Sequence, residues 1–84
     1  MRLITTTDCV LESRKVLAAA SEVETREQHA AVWNWKVEVL KVVNDCLSTG
    51  GFEGEAYEEL WEAKHNLYRA ERIAGERSLE TYAK

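Results

Sequence analysis

Glu62 and His65, three residues apart, form the one spacing in this 84-residue chain that suits metal chemistry. On a helix, positions i and i+3 share a face, so a carboxylate and an imidazole can reach one ion. Di-metal carboxylate bundles use two such pairs plus two further glutamates. One chain supplies one pair, so such a site requires a homodimer, with Glu38 or Asp45 as the added carboxylate. A glutamate-rich helix produces this spacing through composition alone. The first expectation is therefore no metal and no cofactor, with Glu62 and His65 as the ligands of an alternative homodimeric metal-binding bundle.

Cys9 and Cys46, with His29 and His65, would make four zinc ligands, but the thiols lie 37 positions apart and match no zinc or redox spacing. They read as free, small hydrophobes in a reducing compartment. Gly50-Gly51-x-x-Gly54 lacks the strand and the lysine of a phosphate loop. No nucleophile and base stand in a legible pattern, so the expectation is a protein that is not an enzyme.

Charge bears on partners. The formal net charge is −4, and residues 50–84 carry five bases against eight acids. A recognition helix there would present an acidic start to DNA, which makes a nucleic-acid-linked regulator a third, weaker expectation. Glu53, Glu55, Glu58, Glu59 and Glu62 form an acidic cluster that could dock a basic partner patch. Such runs are more often the solvated start of a helix. No stretch approaches the roughly 18–20 apolar residues of a membrane span. The opening MRLITTTD has no long apolar run either. The expectation is cytoplasmic residence, host cytoplasm included.

These side chains need elements to hold them. The chain has no proline and only four glycines, so few residues can stop a helix. Apolar/polar alternation is confined to Arg2–Thr7. The fold class is all-α, a small helical bundle forming a single domain over 1–84. A shorter N-terminal helix covers about 8–21, capped by Thr7 or Asp8, with Cys9, Val10, Val16, Leu17, Ala20 and Val23 as its apolar positions. A long antiparallel hairpin of about 28–48 and 54–80 follows.

The connection between the first two helices rests on periodicity. Asn34, Glu38, Lys41, Asp45 and Ser48 repeat at 4, 3, 4, 3 and make a polar ribbon. At about 100° per residue, that ribbon falls in the sector that was apolar before residue 23. A break at 21–28 resolves the inversion, although one long helix bridging two subunits would also carry inverted faces. Ser21-x-x-Glu24 and Thr25-x-x-Gln28 each offer a capping box for the restart. With a Ser21 start, a proline at Glu22 should be tolerated. The second helix is apolar around the rest of its circumference, which puts it at the centre of the fold. Gly50 suits a left-handed cap at its end.

The third helix carries two apolar ridges. Ala56, Leu60, Ala63, Leu67, Ala70 and Ala74 repeat at 4, 3, 4, 3, 4, a seam whose alanines allow close helix approach. Tyr57, Trp61 and Tyr68 lie roughly a quarter turn away, with Lys64 and Glu71 between the ridges. The seam is the intrachain contact, and the aromatic ridge needs a neighbour of its own. Tyr57, Trp61, His65, Tyr68 and Arg72 are therefore the candidate partner-binding residues, because Trp, Tyr and Arg dominate interface energetics. The expected function is a non-enzymatic protein–protein interaction module, self-associating as a homo-oligomer or binding a protein partner of unknown identity. Small helical chains of this kind are frequent among phage and mobile-element accessory proteins that inhibit a host protein.

Overall fold

A computed structural model describes the backbone of residues 3–82 and the side chains of residues 3–77. Three helices account for the fold: α1 over Thr6–Ala20, α2 over Arg26–Thr49 and α3 over Glu55–Tyr82. They lie side by side in a rod of 47 × 19 × 18 Å. Its length is close to the roughly 42 Å that 28 helical residues span at 1.5 Å each. Among the described residues there is no strand, and no helix is long and apolar enough to cross a membrane.

α1 starts two residues earlier than the sequence reading placed it. Its cap is Thr5, not Thr7 or Asp8. Asp8 serves instead as the third helical residue of a capping box. Its carboxylate accepts from the amides of Ile4 and Thr5, both at 3.1 Å, while its own amide donates to the Thr5 hydroxyl. Those amides of Ile4 and Thr5 hold the Asp8 carboxyl below the usual carboxylate range.

The break between α1 and α2 is real and falls at residues 21–25. Only one of its two possible starts is used. Thr25 caps α2, with Gln28 closing the box: the Gln28 amide donates to the Thr25 hydroxyl at 3.1 Å, and the Gln28 side-chain oxygen accepts from Thr25 and Glu24. Ser21 ends α1 rather than starting a helix. Its hydroxyl donates back to the Ala18 carbonyl at 2.7 Å. The Glu22 amide donates to Ala19 O at 3.1 Å, so proline at Glu22 would remove a hydrogen bond, contrary to the Ser21-start expectation. Val23 is buried within the turn, and its carbonyl accepts from Arg77 Nε at 2.7 Å.

α2 ends at Gly50, which has φ 77° and ψ −167°. This is not the left-handed helical cap expected from the sequence. It is an extended conformation at positive φ, which essentially only glycine accepts. The chain then turns through Phe52, half-buried against the core, into α3. α3 runs unbroken through Gly75, two residues beyond the predicted end. Its first turn carries Glu55 and Glu58, which suits the helix dipole. Its last turn carries no base, because the helix extends past Arg77 and that guanidinium is turned to Val23.

The core forms on α3. Leu60, Ala63, Leu67, Ala70 and Ala74 are buried, with Ala56 half-buried at the end of the seam. Both other helices pack on α3, α1 more extensively than α2. α2 is therefore not the centre its apolar circumference implied. With three helices it has neighbours on one side only. It buries Val32, Lys36, Val39 and Val43 and leaves Trp33 and Val37 exposed. Its polar ribbon faces solvent as expected. α1 contributes Cys9, Val10, Val16 and Ala20 to the core, and Ser13 as a buried polar link. The Ser13 hydroxyl donates to Val10 O at 2.7 Å and accepts from Asn66 Nδ2 at 3.2 Å.

The position of the break is testable with proline. Arg26 is the first residue of α2, and Thr25 before it has the extended backbone (φ −125°, ψ 162°) that a following proline prefers. Arg26→Pro should change stability by less than about 1 kcal/mol. Ala31→Pro, one turn further in, should cost about 3 kcal/mol or more in denaturant unfolding. Equal losses would mean that the helix runs through residue 26.

Candidate interaction surface

α1 covers one face of the α2–α3 hairpin and fixes itself there by polar contacts. Arg14 Nη2 meets Glu62 Oε2 at 2.9 Å, Thr6 Oγ1 donates to Glu59 Oε1 at 3.1 Å, and Trp35 Nε1 donates to Glu12 Oε2 at 2.8 Å. Among the described residues, no helix lies over the opposite face. It is built from two ridges, one on each helix of the hairpin.

The α3 ridge holds the residues singled out in the sequence. Tyr57, Trp61 and Tyr68 are 47%, 47% and 48% exposed, while the Leu60/Leu67 seam beside them is fully buried. The two-ridge reading of this helix therefore holds in the structure. Tyr57 and Trp61 stack edge to face, with ring centroids 6.3 Å apart, and Lys64 Nζ lies 5.1 Å from the Trp61 ring centroid. His65 and Arg72 are exposed and line one shallow groove with Tyr68 and Arg69.

The second ridge was not anticipated. Trp33, 40% exposed, comes from α2 and shares a concavity with Tyr68, Glu71, Arg72 and Gly75 of α3. Val37 and Leu40 continue it towards Asn44, whose Oδ1 is shielded from solvent without a hydrogen-bond partner. The signal for this ridge was in the sequence. Residues 33, 37, 40 and 44 each directly precede a residue of the polar ribbon, at 34, 38, 41 and 45. They are the edge of the apolar arc that a third helix does not reach.

Lys36 stands where the open face meets the core. It is only 5% exposed, its Nζ lies 3.8 Å from the Trp33 ring centroid, and it pairs with Glu71 Oε2 at 3.2 Å. Glu71, read in the sequence as a separator between ridges, is thus the counter-charge of a buried ammonium. The same cation steadies Trp33 from beneath the surface, and His29 meets that ring edge on with centroids 6.2 Å apart.

The acidic cluster is divided between two settings. Glu59 and Glu62 are engaged with Thr6 and Arg14 of α1, while Glu53, Glu55 and Glu58 remain exposed. The Glu62 carboxylate is paired with Arg14, whereas His65 lines the groove with Tyr68 and Arg72. Glu38 and Asp45 lie on the solvent-facing ribbon of α2. No group of three or more His, Cys, Asp or Glu side chains suited to an ion occurs among the described residues.

Cys9 and Cys46 line one cavity of about 180 Å³ at the end of the bundle, with Leu3, Val42, Phe52 and Ala56. Sequence distance had kept them apart. Both thiols are free. Burial pushes the Cys9 thiol above its ordinary pKa, and the neighbouring Cys46 adds to the shift. Compared with known proteins, the chain matches no family model, no curated protein and no solved structure.

Two measurements test this arrangement. Leu67→Ala should cost about 2–5 kcal/mol of folding stability. Trp61→Ala should cost clearly less, because half of that ring already faces water; equal losses would contradict the separation of seam and ridge. In alkylation near neutral pH, followed by intact mass, Cys46 should be modified first. Cys9, buried and held as the thiol, should react only as the chain unfolds. Simultaneous modification would contradict the shielding of Cys9.

Proposed function

We propose that this chain is a non-enzymatic protein–protein interaction module whose binding surface is the open face of the α2–α3 hairpin. One observation carries the reading: Trp33, Tyr57, Trp61 and Tyr68, on adjoining ridges of one face, are all 40–48% exposed. A folded chain that spends four large rings on its surface pays for their hydration, and binding removes that cost. Aromatic residues and arginine supply most of the energy at protein interfaces, and His65 and Arg72 flank these rings.

Two features make the face suitable for tight contact. Its rings are held before any partner arrives, Trp33 by Lys36 and His29, and Trp61 by Tyr57 and Lys64. Ordering them on binding therefore costs less entropy than ordering free side chains. The α3 seam behind them is fully buried, so the ridge stands on a rigid base. A small accessory protein of a phage or mobile element, cytoplasmic and inhibiting a host protein by occupying its surface, is the biological setting that suits such a module.

The test compares three forms of the full chain immobilised against lysate: wild type, Trp61→Ala/Tyr68→Ala, and Glu38→Ala/Asp45→Ala on the polar ribbon. Proteins held by the wild type should be held equally by the ribbon variant. The aromatic variant should bind them at least about 30-fold more weakly, the equivalent of roughly 2 kcal/mol. Retention of the same proteins by the aromatic variant would overturn the assignment of this face.

A further inference from the structure

The exposed ridge of α3 is ordered by charge along its length, and that order is self-complementary. At 100° per residue, Tyr57, Trp61, Tyr68 and Arg72 fall within a sector of about 60°, with His65 about 20° and Glu58 about 40° beyond it on the same side. All six are exposed. Along the ridge Tyr57 and Glu58 come first, then Trp61, His65 and Tyr68, then Arg72, with Arg69 beside it. Glu58 and Arg72 are 14 residues apart, about 21 Å along the helix, so they cannot pair within one chain. Among the described residues neither has an ion-pair partner: the intrachain bridges are Arg14–Glu62, Lys15–Glu12 and Lys36–Glu71.

We propose that the α3 ridge pairs antiparallel with the same ridge of a second copy, about a two-fold axis at His65. Such pairing presupposes that the open face is a binding surface, and it names the occupant. A two-fold axis there sets each residue n opposite residue 130 − n of the second copy. Glu58 then faces Arg72 of the second copy, and Trp61 faces its Arg69, with its Tyr68 alongside. Acid meets base twice, once at each end of the contact, and ring meets ring on both sides of the axis. This is the isologous pattern of a C2 dimer, in which one patch serves both partners. A parallel arrangement would set Glu58 against Glu58 and Arg72 against Arg72, so the charge order selects the antiparallel one. The helix dipoles also oppose one another in that orientation. α1 packs on a different flank of α3, through Glu59, Glu62 and Asn66, which lie roughly 60–120° around the helix from His65.

The symmetry gives a test that simple exposure could not pass. Sedimentation equilibrium is run on the full chain at low salt, at concentrations up to about 100 µM. The wild type should show a dimer, twice its 9.6 kDa. Glu58→Arg alone places Arg against Arg at both ends of the homodimer, and Arg72→Glu alone places Glu against Glu. Each should weaken dimerisation at least about tenfold. Two rescues follow. Glu58→Arg/Arg72→Glu in one chain should return the dissociation constant to within about threefold of wild type. An equimolar mixture of the two single variants should also dimerise, since each end then pairs Arg with Glu. Thermal melts taken well below the dissociation constant should shift by only a few degrees, since both positions are exposed and the change at Glu58 removes one acid from the first turn of α3.

A monomeric wild type, single variants without effect, or failure of both rescues would overturn the pairing. The assignment of the open face as the binding surface fails separately, through retention by the Trp61→Ala/Tyr68→Ala variant. A monomer whose aromatic variant still loses its captured protein would mean that the face serves a different partner.

Discussion

Everything in this fold depends on burying one seam of α3. Leu60, Ala63, Leu67, Ala70 and Ala74 lie at the contact of all three helices, and the alanines let the neighbours approach closely. Close packing recovers dispersion energy that larger, looser side chains would forfeit. It also limits what the seam can cover. Two helices pack on α3, α1 across one flank and α2 across the other, and no further described element covers the rest of its circumference. The aromatic ridge is exposed as a consequence of that geometry, and α2 is left with an uncovered apolar edge for the same reason.

Polar contacts decide how the three helices are set relative to one another. Apolar seams are tolerant of small slides, whereas hydrogen bonds are not. Ser13 with Asn66, Thr6 with Glu59 and Arg14 with Glu62 each join α1 to α3, and Trp35 with Glu12 joins α2 to α1. Arg77 reaches the Val23 carbonyl, so the far part of α3 is tied to the turn between the first two helices. A carbonyl in a turn that buries Val23 needs a donor, and Arg77 satisfies it. The exposed ion pair Arg14–Glu62 contributes little energy in water, but it fixes direction.

The Lys36–Glu71 pair holds the most deeply buried charge among the described residues. A lysine ammonium taken out of water is expensive, and removing its partner would leave that expense uncompensated. Its place is informative. Glu71 is partly exposed in the concavity with Trp33 and Tyr68, so the pair joins the buried core to the candidate binding face. A partner that covers this concavity would further desolvate the pair and strengthen its Coulomb attraction. The position of Trp33 is thereby coupled to a buried charge.

The sequence by itself determined the helical class and the division of α3 into a buried seam and an exposed aromatic ridge, and it offered a break near 21–28 with two possible starts, of which the structure uses Thr25. Each of these is a local or periodic property. Missing proline leaves helices few places to stop, Thr25 and Gln28 lie three apart, and residues 60, 63, 67, 70 and 74 repeat with the period of one helix face. Tyr57, Trp61, His65, Tyr68 and Arg72 were legible for the same reason. What only tertiary structure decided was which helix sits at the centre, and which side chains meet across helices. Hydrophobic periodicity shows how wide an apolar arc is, and not how many neighbours exist to cover it. α2 looked central because its arc is wide, yet three helices leave Trp33 and Val37 in water. The Cys9–Cys46 cavity, the Lys36–Glu71 pair and the Arg77–Val23 contact join residues 35–54 positions apart. No spacing rule links such residues, because their proximity is set by how the helices align, which the packing of the whole seam settles.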